Sequence, residues 1–309
     1  MAKPIRQPRR ITAPEMLDAL ARSGYLLESR IERVLRSIGY DVTPNWTYPD
    51  PDTGKSRELD AVGHTDRWMD RGGDPSNHVF HWLQYELFIE CVNNPQPVVF
   101  FTRDEPDPHL NAWSIRYTGQ PLEITTKPGE SQRVPNLLKL EEFHHYCGRK
   151  YATQYCSFVQ KKNSSDWMAF HEDDHHLTFK KLIDAIFYRY DQEDDDDEDE
   201  PTRDAVDLTF LYPIVVLEGD LLQVNPWARK LSPRKADHVR FSQSAIYDGQ
   251  QYPFSIDIVT ERSFRRFMRL LEREFEEIYR RMFDSFDILL AAVKADNRAI
   301  NTPPQNNGQ

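Results

Sequence analysis

The fold of this chain is decided by the stretch Leu87-Phe-Ile-Glu-Cys-Val-Asn-Asn-Pro-Gln-Pro-Val-Val-Phe-Phe101. Its apolar runs predict two strands, residues 80–92 and 98–101, separated by a turn that contains two prolines. Glu90 stands at the end of the first strand. A carboxylate after so apolar a run has little to contribute to packing, so the sequence marks Glu90 as a candidate functional residue.

The residues before this stretch predict a helix and two further strands. The segment 25–38 has apolar residues at helical spacing, and Gly39 is a suitable C-cap. Glu28 flanks that apolar stripe. Residues from 40 onward and residues 57–62 (Arg-Glu-Leu-Asp-Ala-Val) are predicted strands, with Asp60 alternating with apolar neighbours. A helix followed by several strands predicts an α/β core.

The second half of the chain gives a mixed pattern. Residues 138–161 are predicted to be helical in two pieces, which would place Gln154 on a helix. Residues 208–217 and 221–224 flank Glu-Gly-Asp and predict a hairpin. Strands are predicted at 239–245 and 254–259, and apolar residues spaced by three or four predict one long helix over 264–293.

Composition excludes few functions but bounds the setting. The formal net charge of the 309 residues is −11, yet residues 193–200 are all acidic. Removing these eight from the 50 acidic residues leaves 42 against 39 basic ones, so the remaining chain can still present a basic patch. Three cysteines without CxxC spacing and no membrane-length apolar run predict a cytoplasmic protein with reduced thiols.

Asp60 and Glu90 lie on strands predicted to be neighbours, where two carboxylates can converge on one hard cation such as Mg²⁺ or Mn²⁺. A bound cation of this kind polarises a phosphate and lowers the pKa of a bound water. The pair therefore indicates phosphoryl-transfer chemistry.

The order of these elements resembles the PD-(D/E)xK, or restriction-endonuclease-like, phosphodiesterases. The resemblance rests on the acidic helix with Glu28, the Arg57-Glu-Leu-Asp60 strand, and Ile89-Glu-Cys91 followed by Pro97-Val-Val-Phe-Phe101. It implies a restriction-endonuclease-like core of a helix and a mixed central sheet. It also implies cation binding by Glu28, Asp60 and Glu90, with the carbonyl oxygen of Cys91 as an additional ligand, and cleavage of nucleic acid, DNA rather than RNA.

The chain departs from this family at Val92, where the family carries a lysine that orients the attacking water. Three interpretations stay open. A group from elsewhere stands in for the lysine, the candidates being Gln154, Lys55, Arg57 and Lys161. Alternatively, the cation alone activates water that Asn93 or Asn94 positions. In the third interpretation the site is inactive and the domain is a binding or scaffolding subunit.

Two histidine motifs compete with this interpretation. His171-Glu-Asp-Asp-His175 matches the H-E-x-x-H pattern of zinc hydrolases, but it lies in a polar stretch with no third ligand at a suitable spacing. His144-His145-x-Cys147 with Cys156 lacks four-ligand spacing, and a structural set is expected there.

The predicted organisation has five parts. A basic arm (residues 1–10) precedes a nuclease-like core (11–190), and an acidic, disordered linker (191–204) follows the core. A C-terminal α/β extension (205–297) shares or extends the same sheet and ends in the long helix, before a flexible tail (298–309). The expected partner is nucleic acid, and a homodimer through the long helix or a protein partner is left open.

Overall fold

The computed structural model describes residues 9–69, 81–104, 112–127, 130–162, 164–170, 173–196 and 205–300. In these residues the chain is a mixed α/β protein with one large mixed sheet. Its α-helices are α1 (Ala13–Arg22), α2 (Tyr25–Ser37), α3 (Val134–Leu137), α4 (Asp173–Asp196), α5 (Glu261–Asp284) and α6 (Phe286–Ile300). Two 3₁₀ turns span Leu140–Glu142 and His145–Cys147.

The strands alternate irregularly with these helices along the chain. They are β1 (Asp41–Pro49), β2 (Ser56–Met69), β3 (His81–Asn93), β4 (Val98–Asp104), β5 (Arg116–Gln120), β6 (Glu123–Lys127), β7 (Glu130–Arg133), β8 (Lys150–Gln160), β9 (Trp167–Phe170), β10 (Val206–Glu218), β11 (Leu221–Val224), β12 (Arg234–Lys235), β13 (His238–Tyr247) and β14 (Gln250–Thr260).

The large sheet has the order β1-β2-β3-β10-β14-β13-β8-β4-β11-β12, with β5 also paired to β10 and β9 to β8. Strands β6 and β7 form a separate pair. Strand β10 runs parallel to both β3 and β14, so a strand from the second half of the chain lies between β3 and β14. After a short interruption β4 and β11 continue this pairing in parallel.

Helices cover both faces of the central strands. On one face α2, α5 and α6 pack against the sheet, and α2 contributes Leu27, Ile31 and Leu35 at helical spacing. On the other face α4 packs Phe179, Leu182 and Ile186 against the sheet. Burying apolar surface on both faces explains why β10 is buried over most of its length and why residues 87–89 of β3 are apolar without alternation.

Thr12 and Glu15 form a capping box at the start of α1. Helix α2 begins after Gly24, which has a φ of 86°, and Gly39 follows its end with a φ of 94°. Glycine has no Cβ and tolerates these left-handed conformations. The helix predicted over residues 25–38 is confirmed, and so are the strands predicted to follow it.

The prediction of helices in residues 138–161 is wrong. Two 3₁₀ turns and strand β8 occupy most of this segment. β8 is rich in tyrosine, threonine, phenylalanine and valine, residues that favour strands, and it pairs with β4. Gln154 therefore lies on a strand, opposite Phe101.

The hairpin predicted around Glu218-Gly-Asp220 is also wrong. β10 and β11 do not pair with each other but with β3 and β4. Gly219 has a φ of 146°, and a Cβ there would lie 2.5 Å from the carbonyl oxygen of Asn94. The glycine thus permits a close approach to the β3–β4 connection rather than a reversal of the chain.

The long helix predicted over residues 264–293 is divided into α5 and α6 at Ser285. The division lets Phe286 bury its ring against that of His81, with 3.8 Å between the ring centroids. At the other predicted boundary, residues 191–196 of the acidic linker belong to α4, and residues 197–204 lie outside the described part of the chain.

Candidate functional site

Asp60 and Glu90 come together where β2 separates from β3. The pairing of these antiparallel strands ends at Ala61 and Ile89, so Asp60 lies one residue beyond the paired part of β2. The Asp60 carboxylate turns toward β3, where its Oδ2 accepts a hydrogen bond of 2.6 Å from the backbone N–H of Cys91. This bond fixes Asp60 beside the residue that follows Glu90.

Glu28 approaches the same place from α2. Its side chain follows the buried residue Leu27, at the edge of the helix face that packs on the sheet. Burial raises the pKa of Glu28, and the negative charges of Asp60 and Glu58 raise it further. Glu28 is therefore close enough to Asp60 for their charges to repel.

The fourth member of this cluster is Lys181, whose Nζ lies 2.6 Å from Oε1 of Glu90. Lys181 belongs to α4, on the opposite face of the sheet from α2. The buried hydroxyl of Tyr48 on β1 donates a 2.7 Å hydrogen bond to the carbonyl oxygen of Lys181, which holds this turn of the helix against the sheet. We call Glu28, Asp60, Glu90 and Lys181 the carboxylate cluster.

The carboxylate cluster has more negative than positive charge. Burial raises the pKa of Glu90 to about 7, and the charge of Asp60 adds to this while Lys181 opposes it. Burial also raises the pKa of Asp60, whereas the hydrogen bond from the Cys91 N–H and the charge of Lys181 lower it. Lys181 is thus the cation whose charge lowers the pKa of all three carboxylates. Their oxygens are the ligands that Mg²⁺ and Mn²⁺ prefer, and a divalent cation would relieve the repulsion.

The residues predicted to replace the lysine lie elsewhere or have other contacts. Gln154 is exposed on β8, and Lys161 is exposed beyond the end of the same strand. Lys55 is exposed, and Arg57 forms an ion pair with Asp50. In the described part of the chain, the groups that bond to the three carboxylates or shift their pKa values do not include any of these four.

The predicted water-positioning residues, Asn93 and Asn94, lie at and just beyond the end of β3. Asn94 is buried, and its backbone N–H donates to the carbonyl oxygen of Glu218. Its side-chain Nδ2 lies 3.3 Å from Oγ of Ser157. These contacts give Asn94 a role in joining β3 to its neighbours.

Lys181 was not predicted as a site residue, because no motif contains it. It lies in α4, four residues before the buried Ala185. That spacing places Lys181 beside the buried stripe, and it is the one signal in the sequence that could have identified it.

A second buried polar cluster lies around His145, and we call it the histidine cluster. Nδ1 of His145 lies 2.8 Å from Oε2 of Glu274 on α5, and Nε2 lies 3.1 Å from Oδ2 of Asp257 on β14. Asp257 also accepts hydrogen bonds from the hydroxyl of Tyr146, at 3.0 Å, and from Nε2 of His238, at 2.7 Å. Every oxygen of Asp257 therefore has a donor.

The histidine cluster is compensated. Burial disfavours the charge on His145, but Glu274 and Asp257 overcome it and raise the pKa of His145 to about 10. Both carboxylates have lowered pKa values despite their burial. His144, His145 and Glu274 lie close enough together to hold a metal ion. A protonated His145 that donates from both ring nitrogens has no lone pair with which to bind a metal ion. The contacts therefore favour a structural role, in which His145 forms ion pairs with Glu274 and Asp257.

The zinc-hydrolase motif falls largely outside the described residues. His171 and Glu172 lie outside them, and of His175 only the backbone, at the start of α4, is described.

No protein-family model, curated protein or solved structure matches this chain. Among the described residues, none of the helices combines the length and the apolar character needed to cross a membrane.

Proposed function

We propose that this chain is a metal-dependent phosphodiesterase that cleaves nucleic acid, DNA rather than RNA, with a restriction-endonuclease-like core and a variant active site. The observation that carries the proposal is the 2.6 Å contact between Lys181 and Glu90, beside Asp60 and Glu28. It supplies an ammonium group to a carboxylate cluster that has Val92 where the PD-(D/E)xK proteins carry their lysine.

Glu28, Asp60 and Glu90 would hold Mg²⁺ or Mn²⁺, and the carbonyl oxygen of Cys91 stays a predicted additional ligand. When bound, the cation supplies charge that polarises a phosphate and lowers the pKa of a coordinated water. The Cys91 N–H holds the Asp60 carboxylate beside the residue that follows Glu90. Glu90 holds the ammonium of Lys181 in the cluster, where it can orient a water and stabilise negative charge as it develops on the phosphate.

Face and position support this role for Lys181. Side chains two residues apart on a strand point to the same face, so Val92 and Glu90 share a face of β3. Val92 packs against the core formed with α4, the helix that carries Lys181. A lysine at position 92 and Lys181 would thus reach the carboxylates from the same side of the sheet.

The alternative is an inactive binding or scaffolding subunit, and its main support is the absence of a lysine at position 92. Lys181 provides the same chemical group from another element, which favours the enzyme.

The test is metal-dependent cleavage by Lys181→Gln, with Lys180→Gln as the matched control. Lys180 precedes Lys181 in α4, but its Nζ pairs with Asp184 and Asp52 instead. Cleavage of plasmid, linear duplex, single-stranded DNA and RNA is measured with Mg²⁺ or Mn²⁺. Losing one positioned charged group should lower the rate by roughly 10²–10³-fold in Lys181→Gln, and Lys180→Gln should stay near the parent rate.

A rescue variant separates a chemical role of Lys181 from a structural one. Adding Val92→Lys to Lys181→Gln should restore a large part of the rate, because it returns an ammonium group to the same face. Equal rates in the two single variants would reject the role of Lys181. An absence of cleavage on every substrate with either cation would reject the enzyme and favour the binding subunit.

A further inference from the structure

A strongly basic loop follows β11, and we define the basic loop as residues 225–235. It contains Arg229, Lys230, Arg234 and Lys235 and no acidic residue, in a chain with 50 acidic and 39 basic residues. Residues 226–235 are all exposed. Lys235 pairs with Asp220 at 3.0 Å. The other three have no ion pair within the part of the chain that the structure describes, so their charges face solvent together.

The same loop presents an exposed tryptophan. The backbone N–H of Trp227 donates to Oδ1 of Asn225 at 2.9 Å, and that of Ala228 donates to the carbonyl oxygen of Asn225 at 3.2 Å. Pro226 fixes the backbone between them, so the turn is well defined. The Trp227 side chain is 58 % exposed, and the guanidinium of Arg103 lies 5.1 Å from its ring. An exposed indole held among cations is suited to stacking on a nucleic-acid base.

The chain connects the basic loop to the end of β10, which contacts the helix that carries Glu28. Glu218, at the end of β10, bonds to Arg30 on α2 at 2.9 Å, and α2 also carries Glu28. Seven residues lead from Glu218 to the start of the loop, so it begins within about 25 Å of Glu218 at ~3.3 Å per residue. Roughly seven stacked nucleotides at ~3.4 Å each would cover that separation.

We propose that the basic loop binds single-stranded nucleic acid, with a base stacked on Trp227 and phosphates bound by Arg229, Lys230 and Arg234. The charge of the loop complements phosphate, and the indole complements an unpaired base. The inference deepens the proposed function, on which it rests for its substrate class, by assigning where a single strand is held outside the carboxylate cluster.

The test measures binding without cleavage. Fluorescence anisotropy of labelled 15-nucleotide DNA and RNA strands is recorded in EDTA with the full chain. The variant Arg229→Gln/Lys230→Gln/Arg234→Gln is compared with Lys127→Gln/Lys161→Gln/Lys162→Gln, which removes the same charge at exposed positions elsewhere. The first variant should weaken binding more than tenfold and reduce the salt dependence by about two units of log–log slope, at ~0.7 per phosphate contact. The second should stay near the parent.

Trp227→Ala tests the stacking separately. It should weaken binding by about tenfold, with the salt slope unchanged, because base–aromatic stacking is independent of counterions. Trp227→Phe should recover most of the loss. Since the side chain is exposed, both variants should keep the parent melting temperature. The ratio of DNA to RNA affinity in the parent then identifies which strand the loop prefers.

Equal losses in the two triple variants would overturn the proposal, because they would reduce the binding to net charge. Loop-dependent binding to phosphatidylserine vesicles with unchanged strand binding would overturn it as well. A failure of the proposed function would be distinguishable from a failure of this inference. Lys181→Gln should bind strands like the parent in EDTA, so a loss of cleavage with intact binding concerns the carboxylate cluster alone.

Discussion

The carboxylate cluster and the histidine cluster are built from the same kinds of buried groups but have opposite electrostatics. In the histidine cluster the pKa values of Asp257 and Glu274 are lowered, because a protonated His145 lies between them. In the carboxylate cluster the pKa values of Glu28, Asp60 and Glu90 are raised. Burial alone therefore does not distinguish a binding site from a structural cluster. A site suited to a cation is one whose charge the protein leaves uncompensated.

The histidine cluster is interpreted as structural, and the carboxylate cluster is the proposed cation site. The histidine cluster joins β14, α5 and the turn that contains Tyr146, so its bonds link distant parts of the chain. The carboxylate cluster lies where β2 separates from β3, and the charge of Asp60 repels those of Glu28 and Glu90. Stability and function should therefore respond to mutation in opposite ways at the two places.

The largest expected effect is at His145. His145→Gln leaves Asp257 and Glu274 buried without their shared cation, and breaking a buried pair in this way costs about 3–5 kcal/mol. The free energy of unfolding, measured by urea denaturation at pH 6, should fall by this amount. His64→Gln is the control, since His64 is half exposed beside Asp41 and should change stability by less than about 0.5 kcal/mol. A loss below about 1 kcal/mol at His145 would contradict the structural role.

The next effect is stabilisation by a cation at the carboxylate cluster. Mn²⁺ or Mg²⁺ at a hundredfold excess over its dissociation constant should raise the free energy of unfolding by about 2.7 kcal/mol. Asp60→Asn should lose this gain, because the amide still accepts from the Cys91 N–H but adds no charge to the cation site. Asp52→Asn, at an exposed carboxylate beside Lys180, should keep it. A gain that persists in Asp60→Asn would place the cation elsewhere.

The smallest expected effect is the change in stability caused by Glu90→Gln, measured in EDTA. The pKa of Glu90 is about 7 in the folded chain against an ordinary value of 4.5, so the folded state holds the proton more tightly. Glu90 therefore lowers the free energy of unfolding as pH rises from 4.5 to 7, and this destabilisation is fully present above pH 7. Glu90→Gln removes this destabilisation but deprives Lys181 of a partner. A net gain of about 1–2 kcal/mol is expected at pH 8, and it should disappear at pH 5.

The two clusters also titrate over different pH ranges. The pKa of His145 is raised from 6.5 to about 10, so its stabilising charge is fully present below pH 6.5 and is lost as pH rises toward 10. The difference in stability between the parent and His145→Gln should therefore narrow across this range. An unchanged difference at pH 10 would show that His145 is not the cation of its cluster.

Much of the local structure was predictable because its signals are local. Gly39 and apolar spacing predicted α2 and the strands β1 to β4, and each of these depends on neighbouring residues. The wrong predictions concern segments whose structure depends on residues that are distant in the sequence. β8 was predicted as helix because its strand preference is expressed only when it pairs with β4. The turn at Gly219 was predicted as a hairpin because the close approach of Asn94 cannot be read from residues 218–220.

The sequence by itself identified Glu28, Asp60 and Glu90 as candidates, because each carboxylate stands beside an apolar run where its own packing value is small. Only the tertiary structure brought Lys181 to Glu90, 91 residues along the chain, and joined His145 to Asp257 and Glu274. The physical reason is that a pattern of spacing constrains neighbours on one element, whereas charge compensation depends on the packing of separate elements. That packing leaves three carboxylates short of positive charge in one place and satisfies two in another.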